Sequence, residues 1–200
     1  DEDFSHYKVV VAPMMFMTKR GFKERVEQFV ENGGTFVTTY ISGVVDEYNL
    51  CWQGESFFPL GAVLGIRFEE TDSLLDSDEN SVAMFGDSYK CRNYCELSHL
   101  NGATAIGTYK KDFYAGMPAL TVNRFGKGKA YYIATEFDDD GYRKIYSEIL
   151  KDVVVTDEDI EEARKKAVYG DEIIAQEEEL AELKKIEAMD NYDNKNRTKD

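Results

Sequence analysis

The stretch KVVVAPMMFMTKRGFKERVEQFVENGGTFVTTY, residues 8–40, decides how the fold begins. KVVVAP (8–13) is a continuous apolar run stopped by Pro13, which reads as a buried strand of the kind found in parallel sheets. Phe22, Val26, Phe29 and Val30 then recur at i, i+4, i+7 and i+8, forming the apolar stripe of a helix over residues 21–32. Gly33-Gly34 ends that helix, because glycine accepts the left-handed backbone that closes helices. TFVTTY (35–40) is β-branched and aromatic, hence a second strand. Strand, helix and strand make a βαβ unit, which predicts parallel strands joined by a right-handed crossover.

Residues 41–58 follow with neither helical nor strand period, yet they contain Trp52, Phe57 and Phe58. Long irregular loops in compact domains are functional or disordered, and this one is too aromatic for disorder. Residues 59–64 allow one or two helical turns, and 66–70 and 81–85 read as short strands around an acidic turn at 72–80. Strands at 94–100 and 104–109 flank Asn101-Gly102, a tight-hairpin dipeptide. Strands at 120–125 and 129–133 flank Gly126-Lys127-Gly128, a second hairpin signal. Tyr142, Ile145, Tyr146, Ile149 and Leu150 form an amphipathic helix that closes the domain near Lys151.

The chain has 200 residues, enough for one domain with an appendage, and its 42% hydrophobic and 13% aromatic content supports a core. No apolar run approaches the roughly 20 residues of a membrane span. With 39 acidic against 24 basic residues, the net charge of -15 argues against a nucleic-acid partner. Residues 156–200 hold 15 of those acids and only two aromatics, Tyr169 and Tyr192. Thr156 with Asp157 to Asp159 makes a helix start. Ile160, Ala163 and Ala167, then Ile173, Leu180, Leu183 and Ile186 after the break at Tyr169-Gly170, carry the helical period. An acidic helical tail is expected over 152–190 and disorder over 191–200. The Leu180, Leu183 and Ile186 stripe is short for a coiled coil, so a lone docked helix is expected. The acidic opening, Asp1 to Asp3, is unlike a signal peptide. Three cysteines make no disulfide framework and point to a reducing, cytoplasmic setting.

Several clusters invite a chemical role. Cys91, Cys95 and His99 are spaced four apart, but a metal needs at least three well-placed ligands and usually four, and the Asn-Gly hairpin argues for strand there. Cys51 has no recognisable base partner among His6 and His99. The run Gly126-Lys127-Gly128-Lys129 lacks the GxxxxGK[ST] spacing of a phosphate loop. Asp46-Glu47 and Asp138 to Asp140 are carboxylate clusters. Sequence cannot set the separation a glycosidase pair needs, and a helix start at Gly141 explains the second cluster. No metal and no cofactor is expected.

Two long blocks carry a resemblance. YKVVVAPMMFMTKRGFKERVEQFVENGGTFVTTYISGVVDEYNLC (7–51) and CELSHLNGATAIGTYKKDFYAGMPALTVNRFGKGKAYYIAT (95–135) are similar to the middle, trimerisation domain of glycoside hydrolase family 42 β-galactosidases. The resemblance covers about residues 3–151. It implies an α/β fold: a flavodoxin-like, class I glutamine amidotransferase-like three-layer sandwich with a mostly parallel sheet, here with a C-terminal helical tail. It also implies a domain over 1–151 whose first strand–helix unit is missing ahead of the segment that opens the chain. The acidic tail does not resemble the small β domain that follows in the family. The family's chemistry lies in a preceding (β/α)8 barrel with two glutamates, so no catalytic residue carries over to this chain. At the amidotransferase nucleophile position stand Tyr40, Ile41 and Ser42, and Ser42 lacks a nucleophile elbow or a placed histidine.

The implied function is non-catalytic assembly: a homotrimer in the parent enzyme, which hydrolyses terminal β-D-galactosides. The alternative is a sugar or small-molecule binding module, whose ligand would lie beyond the strand ends near Asp46, Glu47, Asn49 and Trp52. Phe57, Phe58, Phe113 and Tyr114 are large rings in segments without an obvious buried face. They are expected to contact another subunit or the missing barrel, with capping of their own sheet as the competing arrangement.

Overall fold

Two parallel strands open the chain, as residues 8–40 predict. In a computed structural model that describes residues 3–53, 58–75 and 77–153, β1 (Val9–Ala12), α1 (Phe22–Glu31) and β2 (Thr35–Thr39) follow in order. Val9 pairs with Thr35 and the register runs in parallel to Ala12 with Thr38. The helix buries Phe22, Val26, Phe29 and Val30, the stripe its spacing sets out.

The remaining elements are α2 (Gly61–Leu64), β3 (Ile66–Ser73), β4 (Asn80–Met84), β5 (Asp87–Leu100), β6 (Thr104–Tyr109), β7 (Pro118–Phe125), β8 (Gly128–Ile133), β9 (Thr135–Phe137) and α3 (Asp139–Lys151). The strands form one sheet in the order β1-β2-β8-β7-β6-β4-β5-β3, with β9 paired to β5.

This corrects the expected fold. The sheet is mixed and mostly antiparallel, not the mostly parallel sheet of a flavodoxin-like or amidotransferase-like sandwich. Only β1 with β2 and β2 with β8 run parallel. The pairings β3–β5, β4–β5, β4–β6, β5–β9, β6–β7 and β7–β8 are antiparallel. The reason lies in the connections. Parallel neighbours need a crossover of about a dozen residues, usually a helix. The consecutive strands that pair here, β4 with β5, β6 with β7 and β7 with β8, are joined by connections too short for that crossover.

Successive residues of a strand face opposite sides of a sheet, and here each side has its own core. Val37, Tyr131 and Ile133 pack with Ile145 and Ile149 of α3. Their neighbours Phe36, Ala130 and Tyr132 pack with Phe22, Val26, Val63 and Leu64 from α1 and α2. Full burial of a ring such as Phe36 contributes about 2–3 kcal/mol.

The Gly126-Lys127-Gly128 run is the β7–β8 turn, seated on the end of α1, where Lys127 N–H donates to the Glu31 carbonyl at 3.0 Å. A side chain at Gly128 would overlap the Gly34 and Val30 carbonyl oxygens, so only glycine fits. Asp138 caps α3, its carboxylate accepting from Gly141 N–H at 2.9 Å. Phe57 and all but Asp152 and Val153 of the expected acidic tail lie outside the described residues.

Candidate functional site

The chain leaves β2 through Tyr40 and Ile41, and Ile41 takes a left-handed backbone (φ 54°). For a β-branched residue that conformation is a genuine outlier. It is held from within: Ile41 N–H donates to Glu96 Oε1 at 2.8 Å. Glu96 is only 2% exposed. Its Oε1 also accepts from the Thr71 hydroxyl at 3.3 Å, and its Oε2 accepts from the Tyr132 hydroxyl. Burial raises the Glu96 pKa above the ordinary carboxylate range, and these hydrogen bonds, Tyr132's first, pull it part of the way back.

Beyond Ile41 three short segments zip into a ribbon. Gly43 and Val44 N–H donate to the Met15 and Phe16 carbonyls at 2.8 and 2.9 Å, and Thr18 N–H donates to Val45 at 2.9 Å. Val45 pairs with Met17 on one side and Cys51 on the other. Asp46 Oδ1 accepts from the N–H groups of Tyr48 and Leu50, both at 2.9 Å, and Asn49 (φ 63°) completes the turn.

Hydroxyls fasten the ribbon from beneath. Ser42 Oγ accepts from Met15 N–H at 3.0 Å and from the Thr38 hydroxyl at 2.9 Å. Thr39 Oγ1 accepts from Met14 N–H at 2.8 Å, and Thr18 Oγ1 accepts from the Trp52 indole N–H at 3.0 Å. Thr18, Thr38, Thr39 and Ser42 are all buried. The outer side is apolar, with Met14, Phe16, Met17, Tyr48 and Leu50 between 36% and 68% exposed.

The predicted residues therefore separate. Asp46, Asn49 and Trp52 share the ribbon, and Glu47 meets Arg20 Nε at 3.0 Å. Phe58 packs into the core under α1 and α2, its ring 5.9 Å from that of Tyr132. Tyr114 is fully buried in the other core, edge-on to Tyr109 at 5.0 Å, and donates to Asp72 Oδ2 at 2.8 Å. Phe113, beside it, is 74% exposed. These rings thus belong to two different sides of the sheet. Sequence reasoning passed over Met14 to Met17, although MMFM, four large apolar residues outside any periodic element, was a usable signal.

Little here is arranged for catalysis. Ser42 is engaged in holding the ribbon, while His6 and His99 are exposed, and His99 contacts Glu69. Cys91 and Cys95 lie buried on β5. A hydrogen bond to Cys95, then burial, pushes the Cys91 thiol up, away from the reactive thiolate. Among the described residues no group of three or more His, Cys, Asp or Glu side chains is placed to hold a metal ion. Trp52 and Phe58 line a cleft of about 340 Å³ at the start of α1. Lys19, Arg20, Lys23 and Glu24 line it too, and of these Arg20 and Lys23 are paired with Glu47 and Glu27.

Comparison with known proteins gives one consistent result. The sequence pattern of the β-galactosidase trimerisation domain matches residues 1–156. A β-galactosidase of Clostridium perfringens is 52% identical over 159 residues, covering 76% of this chain and 23% of that protein. A β-galactosidase of Bacillus subtilis is 35% identical over 153 residues, covering 76% of this chain and 23% of that protein. The crystal structure of a β-galactosidase from Bacillus circulans sp. alkalophilus superposes with a TM-score of 0.72 at 42% identity, over 76% of this chain and 23% of that one. This chain thus spans about a quarter of the length of the relatives it matches.

Proposed function

Because this chain belongs to the family of β-galactosidase trimerisation domains, we propose that it is the non-catalytic subunit-assembly element of a homotrimeric family 42 enzyme hydrolysing terminal β-D-galactosides in carbohydrate metabolism. The observation that carries this reading is the match over residues 1–156, shared with β-galactosidases of which it forms only 23%. The chemistry then belongs to a (β/α)8 barrel elsewhere in the polypeptide, and this part contributes no catalytic residue and no cofactor site. Phe113 and residues 41–53, with Asp46, Glu47, Asn49 and Trp52, lie toward a neighbouring subunit or the barrel. Tyr114 and Phe58 act from within, as the packing beneath. The setting is cytoplasmic, which accords with Cys51, Cys91 and Cys95 all being free. No helix among the described residues is long and apolar enough to cross a membrane. The test is an assay of the purified chain on a chromogenic galactoside. No turnover above a heat-killed control is expected, and clear turnover would overturn the non-catalytic assignment.

A further inference from the structure

We propose that Cys91 and Cys95 are a site of oxidative modification, a buried thiol pair that hydrogen peroxide closes to an intrachain disulfide. This goes beyond the assembly reading and does not rest on it.

Register is the first argument. Residues four apart on a regular strand stand about 13 Å apart at Cα, far beyond the reach of a disulfide. β5 is not regular there. Cys91 pairs with Phe137 of β9 and Cys95 with Thr135, and between them lie a bulge and the left-handed Asn93 (φ 61°). Four steps along β5 therefore cover two steps along β9. Two strand steps are about 6.5 Å, within the Cα separation that disulfides span. Phe137 and Thr135, two residues apart, face the same side of the sheet. The two thiols do likewise: both lie in the core that α3 covers, hydrogen bonded to each other.

Chemistry is the second. The hydrogen bond between the thiols ranks them, lowering the Cys95 pKa against the effect of burial and raising that of Cys91. Cys95 is thus the nucleophile and Cys91 the resolving thiol. Cys95 is 0% exposed and Cys91 4%, which bars bulky disulfide reagents and leaves a small peroxide as the oxidant that fits. The bulge, where the ladder is broken, is its point of entry. The Cys95 thiolate attacks one peroxide oxygen. An S–O bond forms, the O–O bond breaks, and the departing hydroxide takes up the proton Cys95 gave up. Cys91 then attacks the Cys95 sulfenic acid at sulfur. An S–S bond forms, the S–O bond breaks, and the hydroxyl leaves as water with the Cys91 proton. Two thiols are oxidised and one peroxide is reduced to two waters.

Cys91 ends the pairing of β5 with β4, opposite Asn80, and Cys95 stands in its pairing with β3, opposite Asp72. The disulfide ties the strand across the corner where it changes neighbours.

The test maps the bond. Trypsin cleaves after Lys90 and Arg92, so a Cys91–Cys95 disulfide holds the dipeptide Cys91-Arg92 to the peptide that begins at Asn93. The complete folded polypeptide is exposed to hydrogen peroxide, unfolded in iodoacetamide, digested and analysed by mass spectrometry. The expected result is that linked pair in place of two alkylated cysteines, lost on treatment with dithiothreitol. In Cys91→Ala, Cys95 is expected to stop at a sulfenic acid that dimedone captures. Cys91 and Cys95 both alkylated at a peroxide dose that oxidises the exposed Cys51 would overturn the proposal. So would a wild type in which Cys95 passes to sulfinic acid without the link. Should Cys91→Ala fail to fold, the wild-type map decides alone.

Discussion

The corner built from β1, β2, β8 and α1 and the run of strands from β3 to β7 obey different rules within one sheet. In the corner, a helix carries the chain from β1 to β2 and the pairing is parallel. In the run, turns of a few residues connect the strands and the pairing is antiparallel. Connection length, more than strand composition, sets the direction of pairing. The tolerance of the two regions differs accordingly. The corner brings backbone against backbone where the β7–β8 turn meets the end of α1, whereas the β4–β5 turn has open space around Gly86.

Identical substitutions in the two regions should separate them. Gly128→Ala pushes a methyl group into the Val30 and Gly34 carbonyls. It is expected to cost about 4 kcal/mol or more, the range reached when backbone must move. Gly86→Ala, in the β4–β5 turn, meets nothing within 4 Å, and its strain comes only from a φ of 90°. The expected cost is about 1–2 kcal/mol. Urea denaturation measures both, and equal losses would show that the two regions are not packed differently.

Glu96 joins the regions, since it sits on β5 and holds the exit of β2. Glu96→Ala leaves Ile41 N–H and the fully buried Tyr132 hydroxyl without an acceptor. A loss of about 3 kcal/mol is expected from unsatisfied buried donors. A near-neutral result by chemical denaturation would remove the link. Asp138→Ala, at the start of α3, should cost about 1 kcal/mol, as loss of a helix cap does.

The smallest effect expected is a slope. Because burial raises the Glu96 pKa, the protonated form is favoured in the folded state. Its stabilising contribution is full below the unfolded value, near 4.5, and is lost as pH rises through the higher folded value. Wild type should therefore lose stability relative to Glu96→Gln as pH is raised from about 4.5 toward neutrality. Parallel melting curves of the two proteins across that range would contradict the assignment.

What the sequence revealed follows the same division. Residues 8–40 were legible because strand, stripe and Gly-Gly stop are all local signals. Gly126-Lys127-Gly128 was legible as a hairpin and already implied an antiparallel pair, whereas the hairpin expected at Asn101-Gly102 does not form: that turn joins β5 to β6, and β4 lies between them in the sheet. The parallel sheet came from family analogy, which extended the rule of the first 40 residues to strands lacking crossover helices. β5 was read only over 94–100, because Asn93 (φ 61°) and the bulge between Arg92 and Cys95 interrupt the alternation. Its pairing with β9 joins Cys91 to Phe137, too distant in sequence for any local pattern to reveal. Glu96 was missed because an acid on a strand reads as solvent-facing. Its partners Ile41 and Tyr132 lie 55 and 36 residues away. Trp52 was singled out for its ring, but the ribbon that positions it depends on Met14 to Thr18, whose apolar run has no period to attract notice.

Sedimentation equilibrium of the complete wild-type polypeptide is the most direct trial of the assembly role. A mass three times that of one chain, stable to dilution at moderate salt, is the result this account predicts. The mass of a single chain at every concentration would contradict it.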